Sequence, residues 1–555
     1  MKIISINEAE AMIAPLFDQG LADFNAFAAS NAEFSPSWDC AVLKSHARQF
    51  TLRWRGDLAL DGYDRLRLFI NFPPWIRMSG QAVIDGQPQA VFHDVAGEGL
   101  PSEPTSAPVA GGMTELELDF AADRDAEALI SFYWMGLVNS EREALLESRR
   151  PKHDADWPGL LNPGGHAGIR RPWLVSAAEM ERIKSRAGRY PVLVEELRHA
   201  AGQWDGYAPE PHIREFYPCV EHLYRYVRIR DRQRPDWNPP IRLLALAGWL
   251  CDRPDWSRLA ARMMLAAAHT PHWFEGPQGC TPGSDWHHVC FTESHVLGAL
   301  AFALQFTGDL LTPAATGMIL DRMEEAWRLV NLKCEEPGYR WYMNQGIVFN
   351  AERMVGAAAL HAHGRDGYAA ALEQAYRDHT TVVNHYLGAD GHCTEGPHYF
   401  TYSFGSSIPA WMAYGTFTGR PLSAILPERL ARATTYLDAV TATTGRMMPI
   451  NAASDAPWPL SLVAFMAAHC GWQRGLEILR NERGAQSREM NKGDQLALFL
   501  MPEESDGHTV TSDCESGPRV LDACSGSGLL ALAFPGGKLL FTCERPATGH
   551  HHHDR

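Results

Sequence analysis

The chain has 555 residues, 45% of them hydrophobic and 21% charged. That is ordinary globular composition, and the length exceeds what one core fills, so about two to four domains are expected. The 50 Lys and Arg stand against 66 Asp and Glu, a net charge of −16, which disfavours nucleic acid and anionic membrane surfaces as partners while leaving room for a local basic cleft and an acidic substrate.

The 11 Cys are scattered without a CxxC or a repeated spacing, a pattern of reduced thiols rather than of a disulfide framework. The opening MKIISINEAEAMIAPLFDQG has no long apolar core and no small-residue cleavage site, which argues against a signal peptide and for a cytoplasmic protein. No apolar run reaches the roughly 18 residues of a membrane span. The 17 Trp, 16 Tyr and 23 Phe suit sugar-binding clefts, although large cores account for most of them.

Residues 1–37 read as an amphipathic helix and a tail. Over 38–150 the pattern has period two. Leu66, Leu68 and Ile70 alternate with Arg65, Arg67 and Phe69, and Leu116, Leu118 and Phe120 with Glu115, Glu117 and Asp119. Turns fall at Asp61-Gly62 and Asp85-Gly86. An antiparallel β-sandwich is expected. It could hold carbohydrate, but packing on the next domain is the simpler role. Residues 151–175 form a linker rich in Pro, Gly and Trp.

Ser176 through Glu179 make a capping box that opens a helical region over 176–505. About ten to twelve helices without a strict repeat argue against a regular solenoid. Closure into an α/α toroid would bury them all, with an irregular bundle as the alternative. From 515 to 555 alternation returns. Leu529–Phe534, a Pro-Gly-Gly turn and Lys538–Cys543 read as a hairpin. The expected fold is therefore multidomain α+β: an N-terminal antiparallel β-sandwich, a central α/α toroid that is an incomplete barrel, and the start of a C-terminal antiparallel β-sheet domain.

Two helical segments are unusually polar. The first runs Tyr339-Arg340-Trp341-Tyr342-Met343-Asn344-Gln345-Gly346. Asn344 and Gln345 either point amide donors at a ligand carboxylate or, more simply, Asn344 caps the following helix. The second runs from Asp390 to Ser403. Gly396-Pro397 starts a helix there, which puts Tyr399 and Tyr402 on one face near its N-terminus. The positive end of the helix dipole would lower the cost of a tyrosinate, as a Tyr base requires. Two tyrosines packing a helix start is the competing reading.

A third stretch, SDWHHVCFTESH, holds Asp285, His287, His288, Glu293 and His295. Glu293 or Asp285 with Glu395 could form a carboxylate pair for glycoside hydrolysis. His287 and His288 could ligate a metal. Binding sugar hydroxyls or capping a helix explains these residues more simply. Arg340 and Arg353 could hold a uronate carboxylate or sit in ion pairs. The terminal GHHHHDR is either a tag or a strand, and as a strand it shows His550, His552 and Asp554 on one face.

Together these segments resemble the heparinase II/III-like polysaccharide lyases, of alginate and heparin lyase type and related to the uronyl epimerases. DGHCTEGPHYFTY is similar to the family's Asp-Gly…Glu-Gly-x-x-Tyr-x-x-Tyr segment, YMNQGIVFNAERMVGAAAL to its Asn-His-type helix, and GHHHHDR to its Gly-His-x-His-x-Asp strand. MPINAASDAPWP sits where the family has an Asp-bearing rim loop. The likeness covers roughly 176–555. It implies β-elimination across a uronic-acid glycosidic bond in an acidic polysaccharide. It places Asn344 and Gln345 at the carboxylate neutraliser, Tyr399 or Tyr402 at the acid/base, and His550 at the cleft-facing His. Arg340, Tyr342, Glu395, His288, Glu293 and Arg353 are expected to contact substrate. His552 falls at the first ligand of a structural zinc seen in some relatives; no cofactor is required for the reaction itself.

Two departures stand out. Gln345 replaces the family's His, and glutamine cannot act as a base. A structural zinc usually has four ligands, which His552 and Asp554 cannot supply, so the chain is expected to be a truncated form of a longer protein. The resemblance also points to a periplasmic or secreted enzyme. The competing functions are a glycoside hydrolase on an α/α toroid, a uronyl C5-epimerase and a non-catalytic glycan-binding protein.

Overall fold

Alternating patterning builds an N-terminal antiparallel sandwich, apolar helical periodicity a helical region, and a second alternating stretch a small C-terminal sheet. The protein is thus multidomain α+β. The structure is a computed structural model and describes residues 26–36, 41–99, 102–149, 151–157, 159–210, 238–269, 291–335, 343–393, 395–450, 453, 455–482, 496–500, 519–524, 529–534 and 537–542. Two compact units result, one around the sandwich and one holding most of the helices with the C-terminal sheet.

The sandwich strands are β1 (Phe27–Ser30), β2 (Glu33–Pro36), β3 (Ala41–Ser45), β4 (Gln49–Ala59), β5 (Arg65–Asn71), β6 (Ile76–Ile84), β7 (Gln87–Ala96), β8 (Gly112–Ala122) and β9 (Ala128–Val138). They form a sheet of order β1-β4-β8-β6-β7 and a second of order β2-β3-β9-β5. Leu66, Leu68, Ile70, Leu116, Leu118 and Phe120 all point into the core, as the alternation requires. Phe120 of one sheet meets Phe132 of the other edge-on, with ring centroids 6.2 Å apart. Asp85 and Gly86 both take positive φ, the geometry of a tight hairpin turn between β6 and β7.

β1 and β2 lie inside the stretch expected to be a helix and tail. They are short edge strands, and Pro36, which lacks an N–H, ends β2 where an edge tolerates it. Residues 1–25, where the helix was expected, lie outside the described residues. On the outer face of the first sheet, Thr51–Asp119, Arg53–Glu117 and Arg55–Glu115 form a cross-strand polar ladder that favours this register.

The helices are α1 (Ser140–Arg149), α2 (Ala177–Ala187), α3 (Pro191–Gly202), α4 (Asn238–Leu250), α5 (Pro254–His269), α6 (Phe291–Leu304), α7 (Pro313–Glu335), α8 (Asn344–Ala362), α9 (Tyr368–Tyr386), α10 (Gly396–Thr418), α11 (Glu428–Ala439), α12 (Leu460–Cys470), α13 (Gln473–Glu482) and α14 (Ala497–Leu500). The Ser176 hydroxyl accepts from the Glu179 N–H at 3.2 Å and so starts α2 as the capping box requires. The linker is a fitted strap. Leu161 bridges to Leu311 and Gly168 to Thr307, while the Trp173 and Leu174 N–H groups donate to Gln305 Oε1.

From α6 onward, helices buried on nearly every side alternate with helices buried on one. α8 is buried from Asn344 through Leu360; α6, the middle of α10 and most of α12 are buried likewise. α7, α9, α11 and α13 each expose one face. α8 packs on α7, α9 and α10. This is a two-layer arrangement of paired helices. Among the described residues no helix is long and apolar enough to cross a membrane.

The buried layer carries charge. Glu352 pairs with Arg242 at 3.0 Å. Burial pushes the Glu352 carboxyl up, with Arg242 opposing. Gly298 of α6 faces this pair, and a Cβ there would collide with Glu352 Oε2 and Arg242 Nη2. His379 is fully buried and hydrogen-bonds the Ser407 hydroxyl at 3.0 Å. Burial, aided by the Arg353 charge, pushes it down to about 3.

β10 (Arg519–Cys524), β11 (Leu529–Phe534) and β12 (Gly537–Thr542) form an antiparallel sheet with β11 in the centre. The expected hairpin is there, running from Leu529↔Thr542 to Phe534↔Gly537. The strand expected at GHHHHDR lies outside the described residues.

Gly298→Ala is expected to cost about 3 kcal/mol, from steric overlap and a broken buried pair, measured as a fall in the urea midpoint at unchanged m. The neutral His379 sets a pH dependence as well. Its folded value lies below the unfolded one, so its contribution is complete above the unfolded value near 6.5 and is lost as pH falls towards 3. The slope is about 1.4 kcal/mol per pH unit in that window. His379→Gln should flatten this part of the stability–pH curve relative to the wild type.

Candidate active site

The start of α8 is buried, and helix starts have N–H groups without intrahelical partners. The residue before it, Met343, caps nothing with its side chain. Glu395 supplies the acceptor from fifty-one residues away in sequence. Its Oε2 takes the Asn344 backbone N–H at 2.9 Å. Its two oxygens also lie 3.3 and 3.2 Å from Asn344 Nδ2. Asn344 and Glu395 are each 2% exposed. Asn344 is therefore the first residue of the helix and not its local cap. Its amide faces a protein carboxylate, which corrects the expectation that it points at a ligand. Gln345, next in the chain, is buried too.

Glu395 immediately precedes α10, which begins with Gly396 at φ 88° and Pro397 in its first turn, as the sequence required. Its carboxylate thus binds the start of α8 while its backbone is the N-cap of α10. Positive helix ends favour a negative charge there, and the role is structural support rather than the substrate contact expected of Glu395. Beneath it, Cys393 Sγ lies 3.3 Å from the Tyr386 hydroxyl and 3.5 Å from the Gly396 carbonyl. The Ser403 hydroxyl donates to the same Tyr386 oxygen at 3.5 Å. Burial pushes the Cys393 thiol up to about 12 and holds the Tyr386 phenol well above its usual range, so both remain neutral.

Tyr399 and Tyr402 follow within two turns of α10, both half-buried. Burial first, and the Glu395 carboxylate second, push the Tyr399 phenol up. The expectation of a dipole-stabilised tyrosinate at Tyr399 is corrected. The helix end does favour negative charge, but burial outweighs it and the nearby Glu395 carboxylate adds repulsion. The Tyr402 hydroxyl lies 3.2 Å from His295 Nε2, with the rings edge-on at 6.3 Å. His295 sits in the second turn of α6. The N-terminal turns of α6 and α8 are therefore both tied to that of α10, and three buried helices present polar side chains at one end.

Other expected contacts fall elsewhere. Arg353 is 1% exposed; it ion-pairs with Asp378 of α9 and bonds Asn331 of α7 at 2.9 Å. It joins helices and is not open to a uronate. Asp390 Oδ1 accepts from the His392 N–H at 3.2 Å in a turn, where Gly391 at φ 83° lies against the Arg432–Ala433 backbone. Glu293 is buried in the first turn of α6. Arg340, Tyr342, His288, Asp285, His287, His550 and His552 lie outside the described residues. Among the described residues no three His, Cys, Asp or Glu side chains stand close enough to hold a metal ion.

Sequence reasoning gave His295 no partner and missed Tyr386. Nothing in the sequence pairs position 295 with 402. The density of polar residues in FTESH at a helix start was the available signal.

No protein-family model matches the chain, and no curated protein matches it. Among solved structures, it is similar to the carbohydrate-binding module TmCBM61, solved in complex with β-1,4-galactotriose. That likeness has 12% identity and a TM-score of 0.17, and it covers 22% of this chain and 94% of that one.

Glu395→Ala should leave the buried Asn344 N–H without its acceptor and cost about 3 kcal/mol, read as a lower thermal midpoint. Glu395→Gln keeps one carbonyl acceptor and should cost less than half as much.

Proposed function

We propose that the protein is a polysaccharide lyase that cleaves a uronic-acid-containing glycan by β-elimination. The observation that carries the reading is the gathering of a neutral phenol, a phenol–imidazole pair and a clamped Asn-Gln start at one end of three buried helices. Elimination needs a base for the C5 proton, an acid for the departing O4 and donors that neutralise the sugar carboxylate. Tyr399, kept protonated by burial and by Glu395, suits the acid. The Gln345 amide suits the carboxylate, with the neighbouring Asn344 held in place by Glu395. The double layer of helices followed by an antiparallel sheet also suits an α/α toroid with a C-terminal β-domain.

The engaged state of Glu395 weighs against a hydrolase. Both its oxygens accept from Asn344, so it does not stand ready to activate water.

Incubation with a panel of uronides, alginate and glycosaminoglycans among them, should raise the ultraviolet absorbance of a 4,5-unsaturated uronate. Tyr399→Phe should lower kcat by about 10²–10⁴ with an unchanged circular dichroism spectrum. New reducing ends without unsaturation would point to the hydrolase. Deuterium uptake at C5 without cleavage would point to the epimerase.

A further inference from the structure

Gln345 cannot serve as a base, and the reaction needs one. The structure offers a pair that the sequence did not: Tyr402 Oη and His295 Nε2 at 3.2 Å. Both side chains are half-buried, accessible enough to meet a ligand and enclosed enough to hold a fixed geometry. Tyr402 lies seven residues beyond Glu395, about 10 Å along the helix axis.

We propose that Tyr402 removes the C5 proton and that His295 receives the proton Tyr402 gives up. The inference rests on the lyase reading. The C5–H bond breaks and its proton goes to Tyr402 Oη, while the former hydroxyl proton moves to His295 Nε2. The electron pair left on C5 forms the C4=C5 double bond, and the C4–O4 bond breaks. O4 takes the proton of Tyr399. One proton is then in excess on His295 and one is missing on Tyr399, and exchange with solvent restores both. Neutral imidazole is a far better proton acceptor than a phenol, so the pair supplies what Gln345 cannot. His295 acts through Tyr402 and positions and relays its proton; Tyr402 is the catalytic residue.

The test is a double-mutant cycle on the full chain, read with a uronide that the wild type converts. Tyr402→Phe should lower kcat about 10³-fold and His295→Gln about 10²-fold, with KM changed less than about 3-fold. The double variant should be no slower than Tyr402→Phe if His295 acts on the reaction through the phenol. Added imidazole should recover part of the rate of His295→Ala and none of that of Tyr402→Phe. Multiplying losses in the double variant, or an unchanged kcat in His295→Gln, would overturn the assignment.

A readout without turnover accompanies it. The ¹⁵N resonance of His295 Nε2 should shift on Tyr402→Phe, and an unmoved resonance would overturn the pair even if His295→Gln failed to fold. Absence of unsaturated product from the wild type on every uronide would instead overturn the lyase reading, and with it the base role. An active wild type with multiplying losses would overturn only the relay.

Discussion

The buried start of α8 needs a hydrogen-bond acceptor, and the rest of the helical site depends on how that need is met. A backbone N–H removed from water without a partner costs about 1–3 kcal/mol. Met343 cannot satisfy it. Glu395 can, because the turn before α10 brings its carboxylate against Asn344. A single contact then fixes the register of α8 against α10, sets a charge at the start of α8 and leaves Tyr399 beside an anion. Burial keeps that phenol neutral, and the anion beside it adds to the effect.

Polar groups deeper in the helical layer have the same logic. A guanidinium as buried as that of Arg353 is tolerable only when paired and hydrogen-bonded. Asp378 and Asn331 meet that condition from two different helices, and the Trp327 indole donates to the Arg353 carbonyl at 3.0 Å. The Glu352–Arg242 pair occupies the space that Gly298 leaves open. Such pairs add little net stability over apolar packing, but a shifted register would leave each charge uncompensated. They select one arrangement of helices and thereby one arrangement of the polar ends.

Local rules made the fold legible. Alternation at Leu66, Leu68 and Ile70, the Ser176 cap, the Gly396-Pro397 start and the Leu529–Thr542 hairpin each follow from interactions within a few residues or from one periodic face. The short strands at Phe27 and Glu33 were not legible, since four residues of mixed character carry too little period to distinguish them from a tail. Of the site, the polar segments were visible as segments. Their pairing was not. Asn344 with Glu395 and His295 with Tyr402 are contacts across long sequence separations, and composition says nothing about which polar residue will face which. Arg353 shows the same limit in reverse: its charge was visible, and its complete burial was not.

Chemistry without water is the central claim of this account. It is tested most directly by letting the protein cleave a uronide in water enriched in ¹⁸O and weighing the products. Elimination predicts an unsaturated product lighter than the hydrolysis product by one water, with no ¹⁸O gained in forming either new end. A saturated product carrying one ¹⁸O at the new reducing end would contradict it.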